Sequence, residues 1–226
     1  MQRYLTLLVA FLAFATVSQA QMFQPAATAA ATTTKQSTET SLVNFSQPTS
    51  PSHFPNVKIE NFGQMDERLY RGAQPAPDDY QALKDLGITT VIDLRKDKTD
   101  YEQAKVEALG MKYVNIPMTG WTTKDEDVDQ FLKLMNDPAT GKVYLHCAAG
   151  KHRTGLVGAI YRLEKYGWDY DTAYKEMKNY EYFSGLFHRK IKSYVQDYYK
   201  KHGPLKQAAF KAAAAQPVTA TAGQAN

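Results

Sequence analysis

Residues 143–166 read VYLHCAAGKHRTGLVGAIYRLEKY, and this stretch narrows the possible folds more than any other. A short apolar run, VYLH, stops at the small and basic residues CAAGKHR, and TGLVGAIYRLEKY then carries helical periodicity as far as Gly167. A strand that passes straight into a helix belongs to a sheet covered by helices. The same alternation runs upstream. VKIENF and RLYRG predict short strands, and Pro77 opens a helix through DDYQALKDL that Gly87 closes. ITTVIDL is β-branched and apolar, the pattern of a buried strand. Thr99 with Glu102 predicts a capping box for a second helix ending at Gly110, and KYVNIP is the next strand. Thr123 with Glu126 predicts another capping box, before a helix whose face is Val128, Phe131, Leu132 and Met135. Two more helices are expected from about Asp171 and Gly185, the last with Phe187, Ile191, Tyr194, Val195 and Tyr198 on one face. The predicted fold is α/β, a largely parallel central sheet flanked by helices.

The ends of the 226-residue chain have a different character. Residues 1–20 place Arg3 ahead of an apolar core from Leu5 to Val17 and finish in small residues, predicting a signal peptide cleaved after Ala20. That apolar run is too short to span about 30 Å of hydrocarbon, so no membrane span is expected in the mature form. Residues 21–53 and 203–226 are rich in Ala, Thr, Ser and Gln and predict a disordered linker and tail around one domain at 54–202. The expectation is an exported monomer, periplasmic or secreted. A formal charge of +4 suits anionic substrates, and without a polybasic block nucleic acid is not an expected partner. Cys147 is the single cysteine, so no internal disulfide can form. It reads as a reactive thiol, an intermolecular bridge or a buried small apolar residue.

Its neighbours favour the first. Five residues separate Cys147 from Arg153, enough for a loop that turns several N–H groups inward beside the N-terminus of the helix near Thr154. Ala148, Ala149 and Gly150 keep side chains out of such a cradle, and Gly150 can take a positive φ. Arg153 offers a planar fork to two phosphate oxygens. The same field favours the Cys147 thiolate, so nucleophile and oxyanion binder sit together, as attack on phosphorus requires. Thr154 can donate to the sulfur when it leaves, and His146 is expected to orient the loop in a supporting role. Lys151 and His152, if they face the pocket, add positive charge for substrates with several phosphates; facing outward they are solvated or pack on RLYRG.

HCAAGKHRTG matches the signature HC-x-x-G-x-x-R-[ST] and so resembles the cysteine-dependent protein tyrosine phosphatase superfamily, dual-specificity type. With NFGQMDERLYRGAQP, GITTVIDLR, the IPM strand end and GKHRTG, the chain is similar to the plant-and-fungal atypical dual-specificity phosphatases and their bacterial relatives over about residues 56–200. The resemblance implies a phosphoric monoester hydrolase with a phosphatase-like fold, a cysteinyl-phosphate intermediate and no metal or cofactor. It implies phosphotyrosine, phosphoprotein or inositol pyrophosphate-type substrates. It also implies a general-acid aspartate in the loop after the preceding strand, where this chain reads PMTGW without a carboxylate. Asp125 is the nearest choice beside Glu126 and Asp127, although all three also suit a first helical turn. Asp97 and Asp100 are more distant choices. Arg71 and Arg95 could border the pocket or equally serve as structural ion-pair partners, and Trp121 could flank its mouth, although packing suits it better. A cysteine phytase acting on inositol hexakisphosphate is the second reading. A rhodanese-like sulfurtransferase or a non-hydrolytic anion-binding module is the alternative of another class. The P-loop of nucleotide-binding proteins does not fit, since Leu145 occupies its first glycine position.

Overall fold

Five strands and six α-helices alternate along the chain of the computed structural model, which describes residues 47–120, 122–185 and 188–214. The predicted signal peptide, most of the linker, Trp121, Phe187 and residues 215–226 lie outside the described residues. The strands are β1 (Gly63–Gln64), β2 (Leu69–Gly72), β3 (Thr90–Arg95), β4 (Lys112–Met118) and β5 (Val143–His146). The helices are α1 (Tyr80–Asp85), α2 (Glu102–Ala108), α3 (Asp125–Asn136), α4 (Arg153–Tyr166), α5 (Tyr170–Asn179) and α6 (Arg189–Ala214). The sheet order is β1-β2-β5-β3-β4, parallel except where β1 pairs with β2. This is the predicted α/β architecture.

Alternation along the strands sorts residues to two faces. Val143, Leu145, Ile92, Leu94, Ile116 and Met118 face a core shared with α3, α4, α5 and α6. Tyr144, Val91 and Tyr70 face a second core with Tyr80 and Leu83 of α1 and Val106 of α2. The register aligns the carboxyl ends of three strands, Gly72 opposite His146 and His146 opposite Asp93. Loops leaving these ends therefore converge where parallel sheets hold ligands. The expected helix stops hold, with Gly87, Gly110 and Gly167 at φ of 80°, 69° and 61°.

Five local expectations fail, each for a tertiary or steric reason. VKIENF forms no strand: Asn56 and Asn61 take left-handed φ of 66° and 54°, while Ile59 and Phe62 are drawn into the second core. Neither capping box forms. Residue Tyr101 precedes α2 without a side-chain cap, and Glu102 turns inward to a buried partner. Lys124, not Thr123, occupies the N-cap of α3 and also makes no side-chain cap. The linker reading ends too late, because residues 47–53 dock on the domain through polar bonds rather than apolar burial. Thr49 donates its N–H and hydroxyl to Glu176 Oε1 at 2.9 Å each, and Tyr180 donates its hydroxyl to Ser50 O at 3.0 Å. The tail reading starts too early, because α6 runs through Gly203 and Pro204 to Ala214. Helix-favouring residues follow the proline, and the Phe210 ring packs on Gly167, where a Cβ would come within 2.5 Å of it. Lys206 Nζ also lies 2.6 Å from Glu164 Oε2.

Candidate active site

β5, the central strand, delivers His146 and Cys147 to the carboxyl end of the sheet, and α4 begins at Arg153, so residues 147–152 must curl between them. What sets the curl is the outward pull on its carbonyls. Gln74 N–H donates to Ala148 O at 3.0 Å and Asn61 Nδ2 to Ala149 O at 3.4 Å. Arg71 Nη2 donates to Gly150 O at 2.6 Å, and His146 Nδ1 lies 3.2 Å from Cys147 O. With four successive carbonyls held from behind, the amides are left for the concave side. Gly150 is required twice over. Its φ is +67°, and a Cβ there would meet the backbone of Gly72 at 2.5 Å.

Cys147 is buried, 3% exposed, at the focus of this curl. Burial pushes its thiol pKa up, but the Thr154 hydroxyl, the Arg153 charge and the amides of Thr154 and Gly150 outweigh it and hold the group below its ordinary value. The Thr154 hydroxyl is itself buried beside the thiol that it helps to ionise. Arg153 Nη1 is steadied by Leu94 O and Met118 O, each at 3.3 Å, from the ends of β3 and β4. Cys147, Gly150, Arg153 and Thr154, the residues singled out in HCAAGKHRTG, are thus brought together in one place.

Behind the loop lies a buried ionic group that sequence reasoning missed. His146 Nε2 is 2.8 Å from Glu102 Oε1, and Asp93 Oδ1 is 3.9 Å from His146 Nδ1, all without solvent exposure. Burial lowers the imidazole pKa, yet the Glu102 bond and charge reverse this and raise it. Glu102 is conversely lowered, burial being outweighed by the same bond. An imidazolium can donate from both nitrogens, to Glu102 and to Cys147 O, which locks the start of the loop. The trio has the composition of a metal site. Its remaining capacity is taken by Gln74 Nε2 on Glu102 Oε2 at 3.1 Å and by Tyr113 Oη on Asp93 Oδ2 at 3.0 Å. Glu102 was hidden by its resemblance to a capping glutamate; only the pairing of β3 with β5 shows that α2 faces His146.

The outer loop residues differ from the multi-phosphate expectation. Lys151 Nζ pairs with Glu181 Oε2 at 2.7 Å. His152 stacks on His188 with ring centres 3.5 Å apart and meets Phe183 edge-on at 4.5 Å. Burial first, then the His188 charge, drops the His152 pKa to about 4, so it is uncharged at neutral pH. Arg71 is fully buried behind the loop with its guanidinium 3.9 Å over the Tyr180 ring, so it does not line the pocket. Arg95 binds Gln74 Oε1 and Asp97 O beside the site. Asp125 opens α3 and accepts from Tyr194 Oη at 2.7 Å. The groove it lines with Asp129, Asp197, Lys201 and His202 includes no residue of the 147–153 loop.

A family model described as "DSP-PTPase phosphatase fused to NAD+ Kinase" matches residues 12–193. The chain belongs to this DSP-PTPase phosphatase family. Within the family it is 32% identical over 119 residues to the dual specificity protein phosphatase TpbA of Pseudomonas aeruginosa, covering 52% of this chain and 53% of that one. It is 31% identical over 114 residues to inositol diphosphatase DSP3 of Arabidopsis thaliana, covering 47% and 56%. The chain thus spans about half the length of the curated relatives it matches. The crystal structure of P. aeruginosa TpbA superposes with a TM-score of 0.58 at 25% identity, covering 73% of this chain and 97% of that one.

Proposed function

We propose that this DSP-PTPase family member is an exported cysteine-dependent phosphatase that hydrolyses phosphate monoesters through a cysteinyl-phosphate intermediate. The single supporting observation is the Cys147 sulfur set among the Gly150 and Thr154 amides, the Thr154 hydroxyl and Arg153. The thiolate attacks phosphorus and forms an S–P bond as the P–O bond to the leaving group breaks. The loop amides and Arg153 hold the phosphoryl oxygens. Water then attacks phosphorus, the S–P bond breaks, phosphate leaves, and Thr154 donates to the departing thiolate.

Asp125, expected from the sequence to protonate the leaving oxygen, is bonded to Tyr194 in a groove without residues of the 147–153 loop, so the leaving oxygen departs as the anion or takes its proton from water. Asp125→Asn should therefore leave kcat within about twofold of wild type; a fall of about 10²–10⁴-fold would return the acid role to Asp125. The aromatic surround of His152, Phe183 and His188 suits an aryl phosphate such as phosphotyrosine. A phytase reading requires free loop cations, and the pairing of Lys151 and the deprotonated His152 weigh against it.

The decisive assay is phosphate release from p-nitrophenyl phosphate, expected for the wild-type protein and abolished in Cys147→Ser. Release that persists in Cys147→Ser would overturn the mechanism, and sulfur transfer without phosphate release would favour the sulfurtransferase class. For export, N-terminal sequencing of the mature protein should begin at Gln21; an intact Met1 would overturn it.

A further inference from the structure

We propose that Glu181 is a specificity-determining residue that sets this site for substrates bearing one phosphate and against polyphosphorylated ones, by occupying the loop cation Lys151. The inference rests on the phosphatase reading above and deepens it.

α5 ends in a turn of unusual composition. Glu181 N–H donates to Lys178 O at 3.0 Å and Tyr182 N–H to Met177 O at 3.0 Å. These two bonds form the Schellman motif, in which the residue after the C-cap adopts a left-handed conformation and is usually Gly or Asn. Here that residue is Glu181, at φ 59°. A side chain with a Cβ is strained there, and nothing in the turn itself requires a carboxylate. What the carboxylate does is reach Lys151 Nζ at 2.7 Å, bridging α5 to the phosphate-binding loop across 30 residues of sequence.

The consequence is electrostatic. Lys151 is the loop's one lysine, and paired with Glu181 it presents no net positive charge to an incoming polyanion. The adjacent His152 is stacked on His188 and uncharged at neutral pH, so it does not replace that charge. Arg153 and the loop amides remain for a single phosphoryl group. The pair is partly exposed, with Lys151 at 30% and Glu181 at 63%, so its influence is moderate and screened by salt.

The test uses the full chain and reads inositol hexakisphosphate as a competitive inhibitor of p-nitrophenyl phosphate hydrolysis, so it does not depend on turnover of the polyphosphate. In Glu181→Gln the ratio of the inhibition constant to the KM for p-nitrophenyl phosphate should fall about 3- to 10-fold. Glu181→Gly, which supplies the residue the turn prefers, should show the same fall while melting no lower than wild type. The fall should shrink in a Lys151→Met background. An unchanged ratio in both Glu181 variants, or an equal fall without Lys151, would overturn the proposal while leaving the phosphatase reading intact. Absence of Cys147-dependent hydrolysis in the wild-type protein would overturn both.

Discussion

Cys147 and Glu102 show how single residues divide the work of this site. The thiol lies in a buried environment that opposes ionisation, and a hydroxyl, an arginine and two amides reverse that opposition. Alkylation of Cys147 by iodoacetate should therefore remain fast well below the ordinary thiol range of about 8.5 and slow as pH falls through the depressed pKa; a rate that collapses already at pH 8 would contradict this. Glu102 acts one step back, through His146. Removing one member of a buried ion pair leaves the other uncompensated, so Glu102→Gln should destabilise the fold by about 3 kcal/mol. The sign of the pH dependence follows from the two shifts. His146, raised above 6.5, contributes stability fully present below pH 6.5 and lost as pH rises through its folded pKa. Glu102, lowered from 4.5, contributes stability present above pH 4.5 and lost as pH falls through its folded pKa. The gap between wild type and variant in urea melts should be widest between pH 4.5 and 6.5. A pH-independent gap would mean that the pair is not charged. At Gly150, alanine meets both a forbidden φ and the Gly72 backbone, so Gly150→Ala should lose activity even where the protein still folds.

At the scale of elements, packing outweighs local breaker and cap signals. Gly203 and Pro204 are a strong stop in sequence, yet α6 continues because Phe210 covers Gly167 and Lys206 reaches Glu164 at the far end of α4. That end lies about 20 Å along the helix from Arg153. Truncation after His202 should thus lower the melting temperature by about 2–4 °C, with kcat/KM for p-nitrophenyl phosphate within about twofold of wild type. A large loss of activity would place the tail in the site instead. The docked segment at 47–53 teaches the same lesson from the other end. Its composition is that of a linker, but Glu176 and Tyr180 supply partners that composition cannot reveal. Tyr180 also stacks under Arg71, which holds Gly150 O, so the segment is three contacts away from the 147–153 loop.

For the molecule as a whole, one cysteine in 226 residues means that oxidation of Cys147 has no internal thiol to resolve it. On the proposed reading, peroxide should abolish phosphatase activity as sulfenic acid forms on Cys147, and activity should return with added dithiothreitol but not on removal of peroxide alone. Spontaneous recovery without reductant would contradict this. The parallel sheet explains why the vulnerable group sits where it does. Aligned strand ends bring Gly72, His146 and Asp93 to the carboxyl end of the sheet, and Cys147 is the first residue of the loop that leaves β5 there.

The sequence by itself determined the α/β alternation, the helix stops at Gly87, Gly110 and Gly167, and the curled loop between β5 and α4 with Gly150 at positive φ, because these depend on local periodicity, glycine φ and close spacing. Only the tertiary structure decided what surrounds that loop. Asn61, Arg71, Gln74, Glu102 and Glu181 come from segments distant in sequence, where nothing local marks them for these bonds: Asn61 falls in an expected strand, Arg71 reads as a possible pocket residue and Glu102 as a capping glutamate. Their roles follow from which carbonyl, imidazole or ammonium the register of β2, β5 and β3 places opposite them. Long-range pairing of this kind has no local signature, which is why the loop from Cys147 to Arg153 was legible in the sequence and its supports were not.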